Sequence, residues 1–314
     1  MSVVIQADAG PRSLRSCFLL GAPRCGTTFL AKALAGHPQV CFTKPKETNF
    51  FMRDCLGIPP ERWTAEFVRR YCGHLADAHE MIAEGSVLHL RDRGAVERLL
   101  RFDPEARFLV AVRNPADLVY SYHARLLYLL DEDEPEFRRA WELQEARARG
   151  ERIPRRCRDP LSLQYRTMGS VGAQLERLFG QVERSRVHVV VFDDLVADPV
   201  KAYRGLLEFL ELPEDGRTEL RRKNENREYK HAWLQAYVMN PPRPIAALLE
   251  SLQRRGRSRP RWIRATRRRL KEWNTRKASR PPLDPAMRAT LGAVFAEDVD
   301  RLEHLLGRDF ASWR

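Results

Sequence analysis

The stretch that most constrains the fold is residues 17–28, where a short apolar run breaks at glycine, turns, and restarts as a helix. Cys17-Phe-Leu-Leu-Gly21 has no polar alternation, which is the pattern of a strand covered on both faces in a parallel sheet. Arg107–Val112 (Arg-Phe-Leu-Val-Ala-Val) and Val187–Phe192 (Val-His-Val-Val-Val-Phe) share that pattern. Each run leads into helical periodicity, over Thr28–Ala35, Pro115–Leu130 and Pro199–Leu210. In the last of these Ala202, Leu206, Leu207 and Leu210 share a face. Strand, turn and helix in repetition predict a doubly wound α/β fold, a central parallel sheet flanked by helices.

At 314 residues, 43% hydrophobic and 9% aromatic, the chain can bury a sizeable core, and this composition excludes wholesale disorder. A net charge of +13 suggests a nucleic-acid or membrane-surface partner until it is located. Residues 254–280 carry thirteen Lys/Arg and one acid (Glu272), a net +12, so the other 287 residues hold only +1. Trp262 and Trp273 lie among those arginines, a combination that also suits RNA or anionic lipid. Asp131–Glu136 is acidic at five of six positions and reads as a solvated excursion, with a substrate lid as the alternative. Met287, Leu291, Phe295, Val299, Leu302 and Leu306 recur at helical spacing, so Pro285–Arg314 is expected to dock. The six cysteines form no CxxC pair and no metal-ligand cluster, which fits a reducing, cytoplasmic setting. The apolar run ending at Pro23 is too short for a signal sequence, and no run approaches the ~18 residues of a membrane span. Eight lysines against 47 arginines point to a GC-rich bacterial genome.

Gly21-Ala-Pro-Arg-Cys-Gly-Thr-Thr28 has the spacing of the phosphate loop GxxxxGK[ST], with Thr27 in the lysine position. Glycines let successive backbone N–H groups turn inward, and the following helix presents its positive end, which together bind phosphate or sulfate. Thr27 and Thr28 add hydroxyl donors, and Arg24 adds a forked cation. Val189-Val-Val-Phe-Asp193-Asp194 imitates a Walker B strand end, so a P-loop phosphotransferase or NTPase stands as a competing reading. A non-catalytic nucleotide- or RNA-binding protein acting through 254–280 is a second competitor.

Pro23-Arg24-Cys25-Gly26-Thr27-Thr28 resembles the phosphosulfate loop of the sulfotransferases, which have a P-loop NTPase-like fold and use 3′-phosphoadenylyl sulfate (PAPS) as donor. About 85 residues on, Arg113-Asn-Pro-Ala-Asp-Leu-Val-Tyr-Ser121 is similar to the family's 3′-phosphate motif. In this reading Asn114 caps a helix, Pro115 takes its first turn, and Ser121 lies two turns on. Phe42-Thr-Lys-Pro-Lys46-Glu47-Thr-Asn-Phe50-Phe51 resembles the family's Lys-Glu-x-x-Phe-Phe segment. Glu84-Gly-Ser86-Val-Leu-His89 resembles its Glu-x-Ser-Pro-x-Tyr segment, with Val87 and His89 departing from proline and tyrosine. The resemblance spans roughly residues 15–250 and 281–314 of one domain over 1–314. Residues 1–14 are then an N-terminal arm, and 131–160 and 251–280 are lid or substrate-region insertions.

The resemblance implies transfer of a sulfuryl group from PAPS, leaving the bisphosphate PAP, to a hydroxyl (less readily an amine) of a small molecule such as a natural product or carbohydrate. It places Arg24, Cys25, Gly26, Thr27, Thr28, Arg113 and Ser121 on the donor, and Glu47, flanked by Lys44 and Lys46, facing the acceptor as general base. Arg24 is permanently charged, so its implied role at the leaving group is electrostatic. His89 and His123 are alternate bases. No metal, nucleic-acid partner or membrane span is implied, and 254–280 is read first as a cover for a polyanionic donor or a contact with the acceptor.

Overall fold

The computed structural model describes residues 3–7, 10–218, 220, 227–239, 261–277 and 281–314. In chain order these include β1 (Val3–Ala7), β2 (Gly10–Leu20), α1 (Thr27–Ala35), β3 (Val40–Phe42), α2 (Trp63–Tyr71), β4 (Met81–Glu84) and α3 (Arg93–Phe102). There follow β5 (Arg107–Val112), α4 (Pro115–Leu129), α5 (Phe137–Glu142), α6 (Gln144–Ala148), α7 (Tyr165–Gly169), α8 (Val171–Phe179), β6 (Val187–Val191), α9 (Phe192–Ala197) and α10 (Pro199–Leu210). The remainder are β7 (Arg227–Tyr229), α11 (Ala232–Met239), α12 (Arg261–Trp273), β8 (Thr275–Lys277) and α13 (Pro285–Leu306). The chain divides into a first unit (Met1–Leu118, Thr167–Lys223 and Leu291–Arg314) and a second (Val119–Arg166 and Asn224–Thr290).

In the first unit five parallel strands lie in the order β3-β4-β2-β5-β6. Phe18 of β2 stands opposite both Glu84 and Phe108, so the strand that leads into the glycine loop is central. The chain goes to one side of β2 for β3 and β4 and to the other for β5 and β6. That reversal makes the carboxyl end of β2 a topological switch point, where α/β sheets bind ligands. The three apolar runs become β2, β5 and β6. The sequence reading missed β1, β3 and β4, which are three to five residues long, as well as the antiparallel pairing of β1 with β2, in which Val3 stands opposite Leu14.

Packing under the sheet is aromatic. Phe51 lies edge-on to Phe18 (5.7 Å between centroids) and Phe102 (5.1 Å), and close to Phe67 (5.5 Å). Phe18, Phe50, Phe51 and Phe67 are fully buried, each worth about 1.5–3 kcal/mol of transfer free energy. On α10 the buried face is Tyr203, Leu206, Leu207 and Leu210, with Tyr203 taking the place expected for Ala202. The C-terminal helix docks as its stripe requires, with Leu291, Phe295, Val299 and Leu302 buried. Asp298 on the same helix accepts from the N–H groups of Gly172 (2.8 Å) and Ala173 (2.9 Å), placing a carboxylate on the positive end of α8.

In the second unit the acidic run after α4 is solvated only in its later part, where Asp133 and Glu136 are exposed. Asp131 and Glu132 are buried, because arginines 15–27 residues later fold back onto them. Glu132 receives both arms of the Arg147 guanidinium (2.6 and 2.7 Å), the Tyr165 hydroxyl (2.6 Å) and the N–H groups of Asp133 and Glu134. Arg158 clasps Asp131 with its backbone N–H and guanidinium. Asn274 bonds to both His231 and Lys230, which ties the antiparallel β7–β8 pair to the start of α11. Glu132→Ala leaves Arg147 buried without its carboxylate, and denaturant unfolding is expected to show a loss of about 3–5 kcal/mol. The double variant E132L/R147M is expected to lose less than that single change; an equal or larger loss would contradict this role for the pair.

Candidate anion-binding site of the first unit

The β2–α1 loop takes its shape from three residues with positive φ: Gly21 (29°), Arg24 (67°) and Gly26 (84°). At Gly26 a side chain is excluded twice, by that φ and by Leu195, whose Cδ2 would lie 2.4 Å from a Cβ. The loop is tied to its neighbours on both sides: Gly21 N–H donates to Val87 O (3.1 Å) and Ala22 N–H to Ala111 O (2.8 Å). Helix α1 then starts with no acidic residue in its first turn and no side chain capping it. The N-terminal N–H groups of a nine-residue helix are therefore left to meet an anion. Thr27 is buried and Thr28 exposed. Burial pushes the Cys25 thiol up to about 12, against the opposing pull of Arg113, so Cys25 offers its backbone N–H and not a thiolate.

Arg113, at the end of β5, reaches this loop and donates to Arg24 O (3.2 Å). Its guanidinium lies over the Phe192 ring, 4.5 Å from the centroid, and Asp117 Oδ2 is 4.0 Å away one turn along α4. Asn114 caps α4 by accepting from Ala116 N–H (2.9 Å), and its amide donates to Trp313 O (3.2 Å). Ser121 is buried on α4 in the second unit.

Glu47 is exposed on the segment after β3, and its Oε1 is 3.0 Å from Lys46 Nζ. The same ammonium donates to Thr27 Oγ1 at 3.4 Å, joining the carboxylate to the glycine loop. Sequence reasoning gave Lys46 only the role of a charged flank. The two residues are 19 apart, and no spacing rule connects them.

Fully buried Glu84 holds the segment in place. Its carboxylate accepts from the N–H and hydroxyl of Thr48 (3.0 Å each), the N–H of Ser86 (2.9 Å) and the Ser86 hydroxyl. Ser86 Oγ accepts in turn from Asn49 N–H (2.8 Å), and Gly85 N–H donates to Lys46 O (3.1 Å).

The alternate histidines are both buried. His123 contacts Glu134 O through Nε2 (2.8 Å) among Phe137 and Tyr165 of the second unit. His89 has no hydrogen-bond partner at either ring nitrogen among the described residues, and its Nδ1 is 3.6 Å from Glu84 Oε2. The Walker B imitation is engaged with the C-terminal segment: Asp193 accepts from Trp313 Nε1 (2.9 Å), and Asp194 is gripped by Arg308. Of the basic segment, 254–260 and 278–280 lie outside the described residues. Within them, Trp273 is exposed, stacks on His231 at 5.5 Å and receives the Lys230 ammonium at 5.6 Å. Among the described residues no three His, Cys, Asp or Glu side chains gather as metal ligands, and no helix is long and apolar enough to cross a membrane.

A parallel α/β sheet with an anion-ready helix N-terminus at its switch point defines the class. Within that class, the model of the sulfotransferase domain family matches residues 14–299, and the chain belongs to this family, whose fold is P-loop NTPase-like. The fold is similar to the crystal structure of a sulfotransferase from Alicyclobacillus acidocaldarius, with a TM-score of 0.66 and 23% identity over 96% of this chain and 100% of that one. Mouse sulfotransferase SULT7A1 complexed with PAP is more distant, with a TM-score of 0.43 and 14% identity over 95% and 96% of the two chains. No curated protein matches the chain.

Two outcomes follow from this geometry. Gly26→Ala is expected to cost roughly 1–3 kcal/mol of stability through strain and overpacking against Leu195, as thermal or denaturant unfolding would register. Burial holds the His89 imidazole below its ordinary pKa, so the unfolded chain takes up a proton near pH 6.5 that the folded chain refuses. Stability is then lost as pH falls through about 6.5, at up to ~1.4 kcal/mol per pH unit from this group. His89→Phe is expected to flatten that part of the Tm-against-pH profile, and an unchanged slope would contradict it.

Proposed function

We propose that the chain transfers a sulfuryl group from PAPS to a hydroxyl, less readily an amine, of a small-molecule acceptor such as a natural product or carbohydrate. The observation that carries this reading is the β2–α1 loop, shaped for an anion and touched by Arg113. The donor's phosphosulfate is held by backbone N–H groups of Cys25, Gly26, Thr27 and Thr28 and by the two threonine hydroxyls. Arg24 offsets negative charge on the departing phosphate oxygen without giving up a proton. Arg113 and Ser121 take the 3′-phosphate. Glu47 accepts the acceptor's proton as the oxygen attacks sulfur in line with the leaving phosphate.

Acceptor choice belongs to residues 131–160 and 251–280, where the chain departs most from the family pattern. The phosphotransferase alternative is weakened by Thr27 in the lysine position and by the engagement of Asp193 and Asp194 with Trp313 and Arg308. The six cysteines are all free, which suits a reducing compartment.

Calorimetry with PAP tests the donor site. Binding that Arg113→Ala abolishes is expected, whereas no heat at millimolar PAP would contradict the reading. Glu47→Gln is expected to keep PAP affinity while turnover with radiolabelled donor falls about 10²–10⁴-fold; a fully active variant would remove Glu47 as base.

A further inference from the structure

We infer that Lys46 is a catalytic residue whose ammonium moves from Glu47 to the sulfuryl oxygens when donor binds, so that loading the donor also releases the base. The inference rests on the sulfuryl-transfer reading above. Lys46 Nζ stands between two groups with different proposed tasks, 3.0 Å from the base and 3.4 Å from the hydroxyl of Thr27 in the donor loop. Its stem is fixed by what lies beneath it: a Cβ on Gly85 would meet Lys46 Cγ and Cε at 3.2 Å each, and Lys46 O is held by Gly85 N–H. The head is therefore the part left to move, and its side chain is 22% exposed. The loop lacks a lysine of its own, Thr27 taking that position, and Arg24 is a rigid fork where a compact ammonium on a flexible stem can follow a moving charge.

An incoming sulfuryl group at Thr27 presents anionic oxygens beside the ammonium. Exchanging one carboxylate for these oxygens keeps Lys46 paired and leaves Glu47 Oε1 open to a proton. In the transfer, the bond from sulfur to the acceptor oxygen forms as the bond from sulfur to the phosphate oxygen breaks. The acceptor proton passes to Glu47, and the electron pair of the broken bond stays on the PAP phosphate. Lys46 neither gains nor loses a proton; it stays on the oxygens that carry charge through the transition state.

The test compares PAPS and PAP, which differ by the sulfuryl group. For wild type and K46M, dissociation constants of both nucleotides are measured by calorimetry without acceptor, together with Tm and single-turnover transfer of labelled sulfur. K46M is expected to bind PAP like wild type, to bind PAPS about tenfold more weakly, and to transfer ~10²–10³-fold more slowly. Equal weakening of both nucleotides, or unchanged transfer, would overturn the role of Lys46 and leave the sulfotransferase reading standing. Wild type that binds neither nucleotide would overturn both. If K46M does not fold, K46R reads the same PAPS-to-PAP ratio. It keeps charge but not the compact head, so slowed transfer with intact PAP affinity supports the inference and wild-type transfer overturns it.

Discussion

The close approach of Gly26 to Leu195 and Phe192 governs the first unit. With φ at 84° and less than a methyl group's room above its Cα, Gly26 turns the chain from β2 into α1 without a cap. The helix then starts beneath the carboxyl edge of the sheet with its first N–H groups directed to whatever anion occupies the loop. A side chain at this position would have to displace the Leu195 side chain of α9, the helix that also supplies the Phe192 ring on which Arg113 lies. One backbone conformation thus shapes the anion loop and the seat of the cation beside it.

A second anchor places Glu47. Phe50 and Phe51 are fully buried in the aromatic core, and Thr48 and Asn49 are bonded to Glu84 and Ser86 at the end of β4. Half-buried Lys46 and exposed Glu47 therefore sit on a segment whose backbone is fixed one and two residues away. An exposed carboxylate usually gains little from an adjacent lysine. Here the lysine also contacts the glycine loop, and the pair becomes a link between two halves of the site.

The legible parts of the chain were those with continuous local signals. β2, β5 and β6 announced themselves because strands buried on both faces cannot alternate, and the glycine loop and the Asn114-Pro115 cap are written in adjacent residues. β3 and β4 were not legible: three or four residues carry no period, and their place in the sheet is decided by pairing, β4 with β2 and β3 with β4. Asp131 and Glu132, at the head of the acidic run, were not legible as buried because their partners, Arg158 and Arg147, are remote in sequence, so local charge looked like a solvated surface. Asp193 and Asp194 were misleading for the same reason, since Trp313 and Arg308 lie more than a hundred residues on. In the site, each residue type was readable but the contact of Lys46 with Thr27 was not, because it exists only once β3 and β4 lie beside β2.

The most direct measurement of the central claim is a competition titration at the loop, with fluorescent PAP displaced by either unlabelled PAP or ATP with Mg²⁺. Displacement by PAP, with ATP·Mg²⁺ ineffective at the same concentration, is the expected result for a loop that lacks the phosphate-loop lysine and has both neighbouring aspartates engaged. Tighter binding of ATP·Mg²⁺ than of PAP would contradict it, and would return the site to the nucleoside-triphosphate class.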